Sequence, residues 1–278
     1  MSASGDPVPA VTEAEAIGEI AAIYADIRAT FGVDVVNLVW RHLATIDGAL
    51  PWCWSAVKPL YVDGIVPAAA AALREALPMP AIPPWPSACL LAVGIDGNCA
   101  PAIRRILASY DQTNPMALIA LTALAQRLDG AAAAPARIDA RRPIPRIEGG
   151  LPTLLPVHEM APATAGLVIA IDALGRRPGE VVVASMYRHL AHWPGYLALA
   201  YLQLATLQAD GRLAALIDAA RDLGRAAAMR IAGALAVPAQ PLDPAAARAA
   251  RDGLELFVGA AIARMTPIGG LLRRLMPA

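Results

Sequence analysis

The sequence predicts an all-α protein made of two tandem helical repeats, and three observations carry that prediction. Hydrophobic residues make up 57% of the chain but aromatics only 5%, so much of the apolar content is alanine, the strongest intrinsic helix former. The stretch YRHLAHWPGYL at 187–197 is echoed by WRHLATIDGAL at 40–50, with Arg, His, Leu, Ala, Gly and Leu recurring at the same steps and an aromatic opening both copies. The offset of 147 residues also pairs Arg104 with Arg251, Leu107 with Leu254, Tyr110 with Phe257, Leu124 with Leu271 and Arg127 with Arg274, while Asp26 and Asp172 match with one residue less. A period of about half the chain means two copies of one unit. Residues 13–128 and 151–278 are those copies, related by a pseudo-twofold axis in one compact pseudo-dimeric domain, with a site expected where they meet.

Residues 1–12 read as a polar, proline-containing arm. Over 14–31, Ile17, Ile20, Ile23, Tyr24 and Ile27 fall at helical spacing, and Gly32 suits the left-handed residue that closes a helix. The valines of 35–45 would suit a strand, but the RHLA echo favours helix. Asp47 fits the N-cap of a helix through Leu60, with Pro51 near its first turn. An Ala-rich helix over 67–77 gives way to PMPAIPPWP, an irregular surface segment. Asp96-Gly97-Asn98 is a turn, and Pro101 starts a helix over 101–110. The segment DQTNP at 111–115 is expected to interrupt it, because Pro115 lacks a backbone donor and disfavours the α region at Asn114. Helix resumes over 116–128.

Residues 129–150 mix Ala, Pro, Gly and Arg without apolar periodicity and read as the linker between repeats. The second half has a helix over 163–174 closed by Gly175, a turn at RRPGE, a motif helix over 181–191, and a helix over 196–208 following Pro194. A long helix covers 213–235. Asp243 caps the last helix with Pro244 at its first position, and PIGG at 267–270 is expected to break that helix before LLRRL.

Several function classes are excluded. Lys+Arg and Asp+Glu both total 23, which leaves no excess of positive charge for phosphates, so no nucleic-acid partner is expected. Of the two longest uncharged runs, 76–95 is cut by five prolines and 191–209 reads as a core helix, so no membrane partner is expected. The N-terminus lacks signal-peptide features, and Cys53, Cys89 and Cys99 are odd in number without a CxxC pair. Both features point to reduced thiols in a cytoplasmic protein. The phosphate-cradling, dinucleotide and nucleophile-elbow motifs are missing. His189 and His192 are three apart, yet no acidic residue lies between Glu180 and Asp210, so no metal and no cofactor are expected.

The repeat-related His42 and His189 either pack near the axis against backbone or serve as a base or anion ligand. Arg41 and Arg188 read as charges on helix C-terminal carbonyls. Tyr110 and Phe257 read as core aromatics or, seen from the other side, as a pocket wall.

Four fragments, GEIAAIYADIR (18–28), RHLATIDGALPWCW (41–54), ILASYDQTNPMALIALTAL (106–124) and YRHLAHWPGYLAL (187–199), resemble the group I 2-haloacid dehalogenases of the DehI type. The likeness covers most of the chain. It implies an all-α pseudo-dimer with the substrate pocket between its repeats, which removes halogen from small 2-halocarboxylic acids. Water would attack Cα directly with one Asp as general base, without a covalent ester or a cofactor.

Carried over residue by residue, that Asp falls on Met186, six positions before His192, and a thioether cannot take a proton from water. Ser185 keeps the preceding Ser, and Asn114 keeps the Asn of the NP turn. The pocket wall falls on Val35 and Leu38 in the first half and on Phe257, Ala260, Ala261 and Arg264 in the second. Ala117 stands where the family has an aromatic. The smaller groups imply a wider pocket.

Two functions follow. In the first, a dehalogenase uses His189, one helical turn from Met186, as substitute base, with Asn114 holding the carboxylate and Arg264 as counter-charge. In the second, a divergent member without dehalogenase activity binds or transforms a bulkier apolar carboxylic acid. A purely structural helical protein is the third reading. Whether Asp111 or Glu159 reaches the pocket, and whether two chains form a homodimer through exposed faces, stay open.

Overall fold

Helix α1 (Gly18–Phe31) opens the fold and ends as expected: Gly32 adopts φ +64° and its N–H donates to the Arg28 carbonyl. This computed structural model describes residues 8–130, 140–180 and 182–277; residues 1–7 of the arm, 131–139 of the expected linker, Val181 and Ala278 lie outside them. The six-residue α2 (Leu38–Leu43) carries the first RHL motif. Helix α3 (Ala49–Val62) follows Gly48, whose left-handed conformation takes the N-cap position expected for Asp47, and no side chain caps that helix. Then come α4 (Ile65–Ala76), the proline-rich strap and α5 (Ser87–Ala92). The long α6 (Ala100–Leu128) completes the first half.

The second half contains α7 (Pro162–Ala173), α8 (Ser185–Leu190) with the second RHL motif, α9 (Pro194–Ala209) and α10 (Arg212–Ile231). Helix α11 (Pro244–Leu256) is capped as expected, by the Asp243 carboxylate accepting from the N–H groups of Ala245 and Ala246. A π-helical turn (Phe257–Ala261) joins it to α12 (Ile262–Leu275). No strand occurs among the described residues.

Two expected breaks do not occur. Helix α6 runs unbroken for 29 residues through Pro115. The carbonyl deprived of its intrahelical donor is that of Asp111, four residues earlier, and Arg74 of α4 supplies the missing hydrogen bond through Nη1 at 3.0 Å. Helix α12 likewise continues through Pro267. Glycines let it lie close on α6: a Cβ at Gly270 would meet Asp111 Oδ1 at 3.1 Å, and one at Gly269 would stand 3.8 Å from both the Asp111 nitrogen and Met186 Sδ.

The apolar residues form two clusters that do not follow the halves of the sequence. One gathers α1–α4, the C-terminal half of α6, and parts of α10, α11 and the π turn. The other gathers the N-terminal half of α6 with α7, α8, α9 and α12. The polar segment 111–115 is where α6 passes from one cluster to the other. Among the described residues, the α11–α12 run Pro244–Leu275 is apolar and long enough to cross a membrane, and 78% of its most apolar window is buried inside the fold; the bent pair α3–α4 passes only jointly.

Candidate functional site

A cavity of about 50 Å³ lies where α2, α6, α8, the π turn and α12 converge. It has room for a few water-sized groups. Its wall contains Asn37 and Ala184, Leu38 and Ser185, Val39 and Met186, Tyr110 and Phe257, and Asn114 and Ala261. Each of these pairs stands 147 positions apart, the offset of the sequence echo. Val182, Ile262 and Met265 complete the lining. The ring contacts behind the wall show the same relation. Tyr110 packs on His189 with ring centroids 5.8 Å apart at 49°, and Phe257 packs on His42 at 5.8 Å and 52°.

Helix α8 is positioned by a buried carboxylate. Asp172 of α7, fully buried, accepts the Ala184 N–H at 2.9 Å and pairs with Arg176 and Arg264. Arg264 also donates to the Asp172 carbonyl (2.9 Å) and reaches Glu180 (3.3 Å). It is committed to this ion cluster and does not line the cavity, which corrects the expectation of a counter-charge for substrate. Withdrawing it would leave Asp172 with Arg176 alone and break the ion pair to Glu180, a larger loss than one new ion pair returns.

The side chains at the wall divide into apolar groups and a short polar arc. Asn114 Nδ2 and Asn37 Oδ1 are buried without a hydrogen-bond partner, an expensive condition for amide groups in an apolar wall. The Tyr110 hydroxyl lies 2.8 Å from His189 Nδ1. Burial pushes the tyrosine's pKa up, against the opposing influence of Arg41, Arg188 and the Ser185 hydroxyl. Burial, reinforced by the charges of Arg188, His192 and Arg41, pushes His189 down to about 3. The imidazole is therefore neutral at physiological pH, and Nδ1 accepts from the phenol.

His189 itself does not line the cavity; it stands behind Tyr110. Val35 is half-buried against the first cluster and does not line it either. Asp111 faces a separate cleft and is paired with Arg273 at 2.6 Å. Glu159 is exposed beside His158. Among the described residues no carboxylate lines the cavity. Met186, Met265 and Phe257 are among the bulkiest apolar side chains in its lining. Among the described residues no three His, Cys, Asp or Glu gather as a metal site.

A 2-haloacid dehalogenase of the configuration-inverting kind from Alcaligenes xylosoxydans xylosoxydans is 29% identical over 230 residues, 78% of this chain and 76% of that protein. A second, from Pseudomonas sp. (strain 113), is 29% identical over 202 residues, 69% of this chain and 65% of that one. The chain is a relative of the configuration-inverting 2-haloacid dehalogenases. No family model matches it.

Solved structures of a D-2-haloacid dehalogenase share the all-helical fold of this relative. A mutant superposes with TM-score 0.77 at 20% identity, a mutant complex with D-2-CPA with 0.73 at 21%, and a complex with L-LA with 0.75 at 20%. Each covers 97% of this chain and 96% of the other.

In this dehalogenase relative, the residues expected at the pocket that do meet in the cavity are Leu38, Asn114, Ser185, Met186, Phe257 and Ala261. Sequence reasoning missed Asn37, Val39, Val182, Ala184, Ile262 and Met265. The offset could have found two of them: applied to Met186 it gives Val39, and applied to Val35 it gives Val182. Ile262 and Met265 reach the wall through the π turn, which left no readable signal.

Proposed function

We propose that this chain hydrolyses the carbon–halogen bond of short 2-halocarboxylic acids by direct attack of water at Cα, in the cavity between its two repeats. The observation that carries the reading is the pair of unpaired amides, Asn37 and Asn114, in an otherwise apolar wall. Asn114 Nδ2 is a donor suited to the substrate carboxylate, and Asn37 Oδ1 is an acceptor suited to a proton of the attacking water. The nearby charges of Arg41 and Arg188 favour an anion. Leu38, Val39, Met186, Phe257 and Ala261 give the α-carbon and its halogen an apolar seat. The size of the cavity favours a short acid over a bulky one. Displacement in one step, without an enzyme ester, inverts the α-carbon. The reading needs no cofactor, and free Cys53, Cys89 and Cys99 suit a cytoplasmic setting.

The test is halide release from short 2-chloro- and 2-bromocarboxylic acids. Wild type is expected to release halide, and Asn114→Ala to lose about tenfold or more in kcat/KM, the size of one hydrogen bond to a charged group. Unchanged release by Asn114→Ala would remove it from the site. Met186, at the family's base position, favours a second reading: an acid is bound without carbon–halogen cleavage. That reading predicts binding without halide from wild type, and release only by Met186→Asp.

A further inference from the structure

We infer that Tyr110 and His189 together form the proton-accepting relay of this site, with Tyr110 touching the attacking water and His189 receiving the proton behind it. The inference rests on the proposed hydrolysis and goes beyond it by assigning the base. Water attacking a saturated carbon must lose a proton, and among the described residues no carboxylate or imidazole lines the cavity. Among the described lining residues, Tyr110 is the one whose side chain both contacts the cavity and is hydrogen-bonded to a basic nitrogen, at 2.8 Å.

The related pair shows that this is more than packing. His42 and Phe257 repeat the ring geometry almost unchanged, so shape alone is served without a hydroxyl. In that pair, His42 Nδ1 turns instead to the Pro9 carbonyl at 2.8 Å. Only the His189 side has a phenol between imidazole and cavity, which fixes the side on which the water sits.

The step balances as follows. The water oxygen bonds to Cα as the carbon–halogen bond breaks, and the bonding pair leaves with the halide. A water proton passes to Tyr110 Oη while the tyrosine's own proton passes to His189 Nδ1. The products are a 2-hydroxy acid, halide and imidazolium. After they leave, the same path run backwards delivers the proton to a fresh water. Tyr110 is neutral before and after, so its raised pKa is no obstacle. The groups around His189 are Arg188, His192, Arg41, Tyr110 and the adjacent Ser185. Burial first, then the charges of Arg188, His192 and Arg41, keeps the imidazole neutral and brings its basicity near that of a carboxylate, about 4.

The experiment compares kcat and KM for halide release in wild type, Tyr110→Phe, His189→Gln, Met186→Asp and the double variant Met186→Asp/Tyr110→Phe, with propionate binding by calorimetry as the check on an intact cavity. Tyr110→Phe and His189→Gln are expected to lose about 10²–10⁴-fold in kcat with KM and propionate affinity nearly unchanged. The double variant should turn over as fast as Met186→Asp, because a carboxylate in the cavity makes the relay unnecessary.

Wild-type kcat in Tyr110→Phe would overturn the relay and leave the proposed hydrolysis standing. Release by Met186→Asp but not by wild type would overturn it too, since no native acceptor would exist. A double variant as slow as Tyr110→Phe would show that the phenol only shapes the site. No release from any of the five would sink both the relay and the hydrolysis.

Discussion

His189 carries a consequence for stability as well as for chemistry. Burial first, then Arg188, His192 and Arg41, lowers its pKa from 6.5 to about 3 in the folded protein. Between those values the unfolded chain binds a proton that the native state refuses, so stability falls as pH drops below about 6.5 and is insensitive to this group above it. Urea unfolding at pH 6.5 and pH 4.5 should show a loss of roughly 2–3 kcal/mol from this residue, and His189→Gln should flatten that slope. An equal slope in the variant would mean the imidazole is not held neutral. The sequence placed His189 one turn from Met186 on a helix over 181–191, and both lie on the shorter α8. It could not show that a tyrosine 79 residues earlier in the chain would stand between His189 and the cavity, because that contact is made only when α6 and α8 pack.

Helix α6 shows the same limit at the level of an element. Local rules predict a break at Pro115, and the break is averted by Arg74, 37 residues upstream of the carbonyl it rescues. Arg74→Met should leave a half-buried carbonyl unpaired and cost about 1–3 kcal/mol. Pro115→Ala restores the intrahelical donor, so adding it to Arg74→Met should recover most of that loss. The double-mutant cycle in urea measures the coupling, and additive effects would remove Arg74 as the cause of continuity. The all-helical class, the Gly32 and Asp243 caps and most helix positions were legible because they depend on residues adjacent in sequence. The continuity of α6 and α12 was not, because tertiary partners decide it. The same applies to Arg264: its charge was visible, but its commitment to Asp172 and Glu180 was not.

At the scale of the whole molecule, the two apolar clusters share their longest helix. Because α6 gives its N-terminal half to one and its C-terminal half to the other, neither can loosen without pulling on the shared segment 111–115 and the cavity beside it. Each cluster is tightly packed in itself. A Cβ at Gly195 of α9 would meet the Val93 carbonyl oxygen at 2.2 Å, and one at Gly224 of α10 would meet Leu118 Cδ2 at 2.7 Å. Two probes report the clusters separately: Trp54 lies in the first, and Trp85 packs on Tyr196 in the second. In single-tryptophan variants retaining Trp54 or Trp85, urea unfolding should give coincident transitions. Gly195→Ala should shift both midpoints together, by about 1–3 kcal/mol, because a backbone oxygen cannot yield to the added methyl group. Separate midpoints, or a shift confined to Trp85, would mean that the clusters unfold independently and that the cavity joins two bodies instead of lying within one.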